Sequence, residues 1–99
     1  MADFYSESID RLLHAIVNLE SVEEAYRFFS DVCTIKEVQD MAQRLDTAFL
    51  LDAGENYQNI SQKVGISTAT ISRVSRSYNY GKGGYKLAIA RNKEAENEN

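Results

Sequence analysis

Gly65 sits between two short apolar stripes, and this arrangement constrains the chain more than any other feature. In the stretch 57–78, YQNISQKVGISTATISRVSRSY, Ile60 and Val64 are four apart and so share a helix face. Glycine enters left-handed backbone without steric cost, which ends the first helix at Gly65. Asn56 is placed to cap that helix, because its side-chain oxygen can accept from an unpaired backbone N–H. Ile66 is apolar inside the turn. Ser67 or Thr68 caps a second helix, and Ile71 and Val74 form its inward stripe. Ala69, Ser72, Arg73 and Arg76 point away from that stripe. The inward set has the order of a helix-turn-helix. The outward set is small, hydroxylated and basic, which suits an exposed helix entering a groove of DNA.

Charge supports this reading once it is resolved along the chain. The net charge is −4. Residues 1–55 carry −8, residues 56–93 carry +7 with no acid, and the end from Glu94 carries −3. A positive field confined to the helix-turn-helix and the residues just after it is the footprint of a nucleic-acid binder, and the whole-chain value hides it. The cations are Lys63, Arg73, Arg76, Lys82, Lys86, Arg91 and Lys93.

The 99 residues make one domain, and a chain this short gains from pairing with a second copy. No apolar run is long enough to span a bilayer, and no signal-peptide start is seen, so no membrane partner is expected. The single cysteine, Cys33, cannot form an internal disulfide and reads as a small buried apolar residue in a cytoplasmic protein. Nothing in a chain without proline opposes a mostly helical, all-α fold.

Upstream, Ser6 or Ser8 can cap a helix through Leu19, after a frayed 1–5, with Ile9, Leu12, Leu13, Ile16, Val17 and Leu19 as a broad stripe. His14 lies beside that stripe with no second ligand at metal spacing. Ser21-Val22-Glu23-Glu24 and Thr34-Ile35-Lys36-Glu37 are both capping boxes. The first opens a helix that is apolar nearly all round (Val22, Ala25, Tyr26, Phe28, Phe29, Val32), as expected for one sandwiched between two chains. The second opens a long helix with Val38, Met41, Ala42, Leu45, Ala48 and Phe49 at spacings of three and four, stopped at Gly54. Asp40 and Arg44 can pair on its surface. The glycines 81, 83 and 84 read as a flexible joint around Lys82, and Tyr85–Ala95 as a last helix before a disordered tail, 96–99. The domain therefore divides into core and dimerisation helices (1–55), the helix-turn-helix (56–78) and a C-terminal helix (85–95). No catalytic constellation or metal site emerges, and an enzyme is not expected.

The run Gly65-Ile66-Ser67-Thr68-Ala69-Thr70-Ile71-Ser72-Arg73 resembles the Trp repressor superfamily, and most closely its YerC/YecD branch. The likeness extends back through Thr34–Gly54 and forward to Tyr85. It implies an intertwined, all-helical homodimer whose two recognition helices dock in successive major grooves. It also implies a corepressor pocket at Thr34, Arg44, Arg73 and Ser77, which match in type. The position after Arg73 is a glycine in Trp repressor, where it leaves room for the indole ring, and is Val74 here. Tryptophan is therefore disfavoured. No cofactor is expected, and the residues leave a small-molecule corepressor open without identifying it.

The function expected is a DNA-binding transcriptional regulator, with Thr68, Ala69, Ser72 and Arg73 at base edges and Gln58, Lys63, Arg76 and Lys82 at phosphates. Ser67 and Thr70 complete the expected DNA-binding set. The alternative is a protein-interaction module that uses the helix-turn-helix only as a scaffold.

Overall fold

The computed structural model describes residues 4–97, which form helices and no strand. The chain divides into two compact units, Met1–Val38 and Gln39–Asn99.

In the first unit, Ser6 accepts from the Ile9 N–H at 3.1 Å and starts α1, Glu7–Val17. Sequence pattern carries this helix to Leu19, but it ends two residues earlier. The Leu19 N–H turns back to the Ile16 carbonyl, and the Glu20 N–H is taken by the Glu24 side chain at 2.9 Å. The same Glu24 receives its own cap from Ser21 Oγ at 3.1 Å, so the box that opens α2 (Val22–Val32) also stops the chain from continuing α1. The expectation that α2 is apolar nearly all round fails, since Glu23, Glu24, Arg27, Ser30 and Asp31 gather on one side of it and Val22, Ala25, Phe29 and Val32 on the other. Phe28 and Phe29 meet edge to face with centroids 5.3 Å apart. Thr34 and Glu37 exchange hydrogen bonds of 2.8 and 3.1 Å and open α3, Ile35–Asp52. Hydrogen bonding to Thr34, from its backbone N–H first and its side chain second, holds the Glu37 carboxyl below its usual range. No described residue of this unit is fully buried. Val22 is 74% exposed, Tyr26 73% and Ile35 78%. Cys33 is half-buried and free, and His14 is exposed beside Asp10.

The second unit holds every fully buried residue among those described: Thr47, Ala48, Ile60, Ile71, Val74 and Ile89. α3 ends as a Schellman motif, with Glu55 N–H on the Leu50 carbonyl, Gly54 N–H on that of Leu51, and Gly54 at φ +84°. Asn56 caps α4, Tyr57–Ile60, by accepting from Asn59 N–H at 2.9 Å. The helix then widens into π turns over Ser61–Gly65 rather than continuing as α-helix. Ser61 Oγ closes this stretch by donating to the Ile66 carbonyl at 2.6 Å, and Gly65 leaves it at φ +79°. Ser67, not Thr68, caps α5, which runs Thr68–Tyr80, two residues past the expected end of the helix-turn-helix at 78. A three-residue turn over 81–83 leads to α6, Gly84–Asn97. The Gly81 N–H ends α5 on the Ser77 carbonyl at 2.9 Å, and Gly81 and Gly83 of the expected joint lie in this turn. Glu96 and Asn97, expected in a disordered tail, are the end of α6; 98–99 lie outside the described residues, as do 1–3 of the expected frayed start.

Ala48 of α3, Val74 of α5 and Ile89 of α6 form the centre of the core, with Phe49, Leu51, Tyr78 and Tyr85 packed around them. The α3 stripe is covered at this end only, since Val38, Met41 and Ala42 are exposed. Thr47, outside the apolar pattern, is fully buried because its hydroxyl donates to the Gln43 carbonyl at 2.7 Å and leaves no unpaired group. Asp52 fastens the three helices at the rim. It accepts from the Tyr78 hydroxyl at 2.5 Å and from Lys93 Nζ at 2.8 Å. Lys86 Nζ lies 5.1 Å from the Tyr78 ring centroid, at cation–π distance.

Candidate nucleic-acid interface

The orientation of α5 follows from its buried side. Ile71 is 0% and Val74 3% exposed, which turns the opposite face outward. On that face Thr68, Ala69, Arg73 and Arg76 are exposed and Ser72 is half-buried. Among the described residues no ion pair engages Arg73 or Arg76. Both guanidiniums are therefore free to meet an anion or a base edge. Ser67 and Thr70 are occupied differently. Ser67 Oγ accepts from the Thr70 N–H at 3.2 Å and sits 3.1 Å from the Thr70 hydroxyl, so these two side chains form the cap of the helix. Gln58 is exposed on α4 and Lys82 in the turn before α6.

Lys63, the cation of the π segment, is not free. Its Nζ lies 3.0 Å from Glu55 Oε1, while Asn59 Nδ2 donates to the other oxygen at 3.1 Å. These partners, Lys63 first, hold the Glu55 carboxyl below the usual carboxylate range. Asp52 is lowered in the same way, chiefly by Lys93 and then by the Tyr78 hydroxyl, and the hydrogen bond to Asp52 in turn raises the Tyr78 phenol. Two of the seven cations in 56–93 are thus tied to acids that lie just before the segment, at the end of α3. Pattern reading missed both ties. The Asp52–Lys93 pair spans 41 residues, beyond the reach of any local spacing rule.

Beside α5 lies a cavity of about 430 Å³. α3 lines it with Asp40, Gln43 and Arg44; α5 lines it with Thr70, Arg73, Val74 and Ser77; Ile66 and Tyr85 complete it. Three of the four residues expected at a corepressor site, Arg44, Arg73 and Ser77, therefore face one space. Thr34, the fourth, is engaged in the capping box of α3. Val74 is packed in the core and also borders the cavity, which stays open next to it. Asp40, Gln43 and Tyr85 were not anticipated. Asp40 stands four residues before Arg44 and three before Gln43, a helical spacing from which their shared side of α3 could have been read, whereas Tyr85 arrives only through the tertiary turn. Among the described residues no cluster of His, Cys, Asp and Glu could hold a metal ion, and no helix is long and apolar enough to cross a membrane.

Comparison with known proteins agrees with this geometry. The family profile of the Trp repressor protein matches residues 7–93. YerC of Bacillus subtilis (strain 168), described only as uncharacterized, is 49% identical over 92 residues, covering 93% of this chain and 88% of that protein. A crystal structure of a TrpR-like protein from Eubacterium eligens superposes with a TM-score of 0.84 at 45% identity, over 87% of this chain and 89% of that one. A second solved structure, from Staphylococcus aureus, gives 0.86 at 43% identity over 90% and 89%. The all-helical fold, the helix-turn-helix and these relatives together show that the chain belongs to the Trp repressor family, in its TrpR-like YerC branch.

Proposed function

We propose that the protein is a sequence-specific DNA-binding transcriptional regulator, a repressor, that works as an intertwined homodimer and reads the major groove with α5. The observation that carries this reading is the exposed Arg73 and Arg76, which no ion pair among the described residues engages, on a helix fixed from behind by buried Ile71 and Val74. They stand in a segment that has seven cations and no acid. Thr68, Ala69, Ser72 and Arg73 serve base edges; arginine pairs with guanine, and an alanine or threonine methyl meets the thymine methyl. Arg76, Gln58, Lys63 and Lys82 serve phosphates. The homodimer is supported by the first unit, where Val22, Tyr26, Val32 and Ile35 are all more than half exposed. Apolar surface of that extent is covered in a stable protein.

Tryptophan is disfavoured as a ligand of the cavity that holds Arg44, Arg73 and Ser77, because Val74 stands after Arg73 where the Trp repressor has a glycine. Titration calorimetry with tryptophan is expected to give no binding heat, and a tight isotherm refutes this. Selection of bound duplexes from a random pool tests the main reading. A pseudo-palindromic site with half-sites about one helical turn apart is expected. Recovery of no preferred sequence, at low salt as at high, overturns it.

A further inference from the structure

We propose that Glu55 is a brake on DNA affinity: it holds Lys63 away from phosphate and so sets a ceiling on sequence-independent binding. The inference rests on the DNA-binding reading above and assigns it a regulating residue.

The first helix of a helix-turn-helix crosses the sugar-phosphate backbone. In this protein that helix is α4 with the π segment, and its one cation is Lys63. Glu55 is the last acid before an acid-free stretch that runs to residue 93. The Schellman turn ending α3 places it there, with its backbone N–H bound to the Leu50 carbonyl at 3.0 Å. Its carboxylate is held by two residues of the adjoining helix at once, Lys63 at 3.0 Å and Asn59 at 3.1 Å. The Glu55 side chain is only 26% exposed, against 55% for Lys63. The carboxylate is therefore the fixed member of the pair and the ammonium the movable one.

The pair weakens binding in two ways. Lys63 must leave Glu55 before it can contact a phosphate, so the ion pair subtracts from whatever the phosphate contact contributes. In addition, the freed carboxylate repels the same backbone. Neither effect depends on base sequence, since phosphates position a protein without specifying a site. Among the described residues no acid pairs with Arg73 or Arg76, so the restraint acts on the non-specific part of the affinity, and free protein is less readily held on unrelated DNA.

The test uses the full-length protein, a fluorescently labelled mixed-sequence duplex and the duplex recovered by selection, with binding measured by anisotropy over a salt series. Glu55→Gln keeps the shape and the Asn59 contact but removes the charge. It is expected to tighten binding to both duplexes by about two- to five-fold, the range of one exposed ion pair. It should also steepen the dependence of log K on log salt by about 0.9 per protomer as Lys63 is released to a phosphate. In a Lys63→Gln background the same substitution should tighten binding less and leave the salt slope unchanged, because only the repulsion of the carboxylate remains to be removed. Tightening that is undiminished without Lys63, or no tightening at all, overturns the proposal. Thermal melts of each variant show that the compared proteins are folded. Failure of the DNA reading itself looks different: the unmodified protein then binds neither duplex at any salt.

Discussion

Truncating Val74 to alanine separates the two roles that the structure gives this side chain, core packing and cavity wall. The substitution removes two carbons from a site only 3% exposed. At roughly 0.8 kcal/mol per buried carbon, the transfer loss is about 1.6 kcal/mol. In a closed core a further ~1 kcal/mol is lost to the void left behind. Val74 borders the cavity of about 430 Å³, so most of the vacated volume joins space that is already open and that further penalty largely disappears. The expected loss is about 1.5–2 kcal/mol, or a melting point lower by about 10 °C for a chain of this size. Ile71 provides the control, because it is 0% exposed and does not line the cavity. Ile71→Ala should carry the full cavity penalty and cost about 3–5 kcal/mol. Urea melts of both variants at one fixed protomer concentration measure the difference, the concentration being held because a dimer's stability depends on it. A Val74→Ala loss of roughly 3 kcal/mol or more would contradict the open cavity, and a loss under about 0.5 would take Val74 out of the core.

Arg73→Ala should cost roughly 1–3 kcal/mol at one base pair and relax preference there, whereas Arg76→Ala should weaken all sequences alike and flatten the salt dependence; identical profiles across a panel of sites would refute this division. Gly65→Ala should lose about 1–2 kcal/mol in a thermal or urea melt, because the site is left-handed at φ +79° while no atom lies within 4 Å of the added carbon, so the cost is backbone alone. Glu37, Asp52 and Glu55 all have lowered carboxyls, so the stability they contribute is complete above the ordinary carboxylate range and is lost as pH falls through their depressed values. Tyr78 is raised and acts in the opposite sense, its contribution being complete below its ordinary value of 10.0 and lost as pH rises through its elevated one. Melting temperature against pH should therefore fall off at both ends, and Asp52→Asn should soften both flanks.

How much of this was legible depended on the range of the interaction. Ser21, Thr34, Asn56 and Ser67 cap helices through bonds to residues three positions on, a separation that can be read directly from the letters. Gly54 and Gly65 announced left-handed turns because few other residues enter them. The apolar stripe of α3 was equally visible, but a stripe does not say which of its ends is covered. Ala48 is buried and Ala42 is not, and that difference is decided by where α5 and α6 arrive. The π turns were missed because nothing in the four-residue spacing of Ile60 and Val64 signals one wide turn; the Ser61 hydroxyl that closes it acts on a carbonyl five residues on. Arg44 and Arg73 line one cavity and Thr34 does not, while Tyr85 was assigned only to a helix and gained its place by tertiary folding.

The lack of a fully buried side chain among the described residues of the first unit has a bearing on the cell as well as on the fold. In the proposed homodimer, helices that keep no interior of their own become ordered only when a second copy supplies one, so at concentrations below the dimer's dissociation constant their ordering tracks the square of protomer concentration. A modest fall in expression would therefore remove working regulator faster than it removes polypeptide, and the target genes would respond to dosage more sharply than to the amount of chain made.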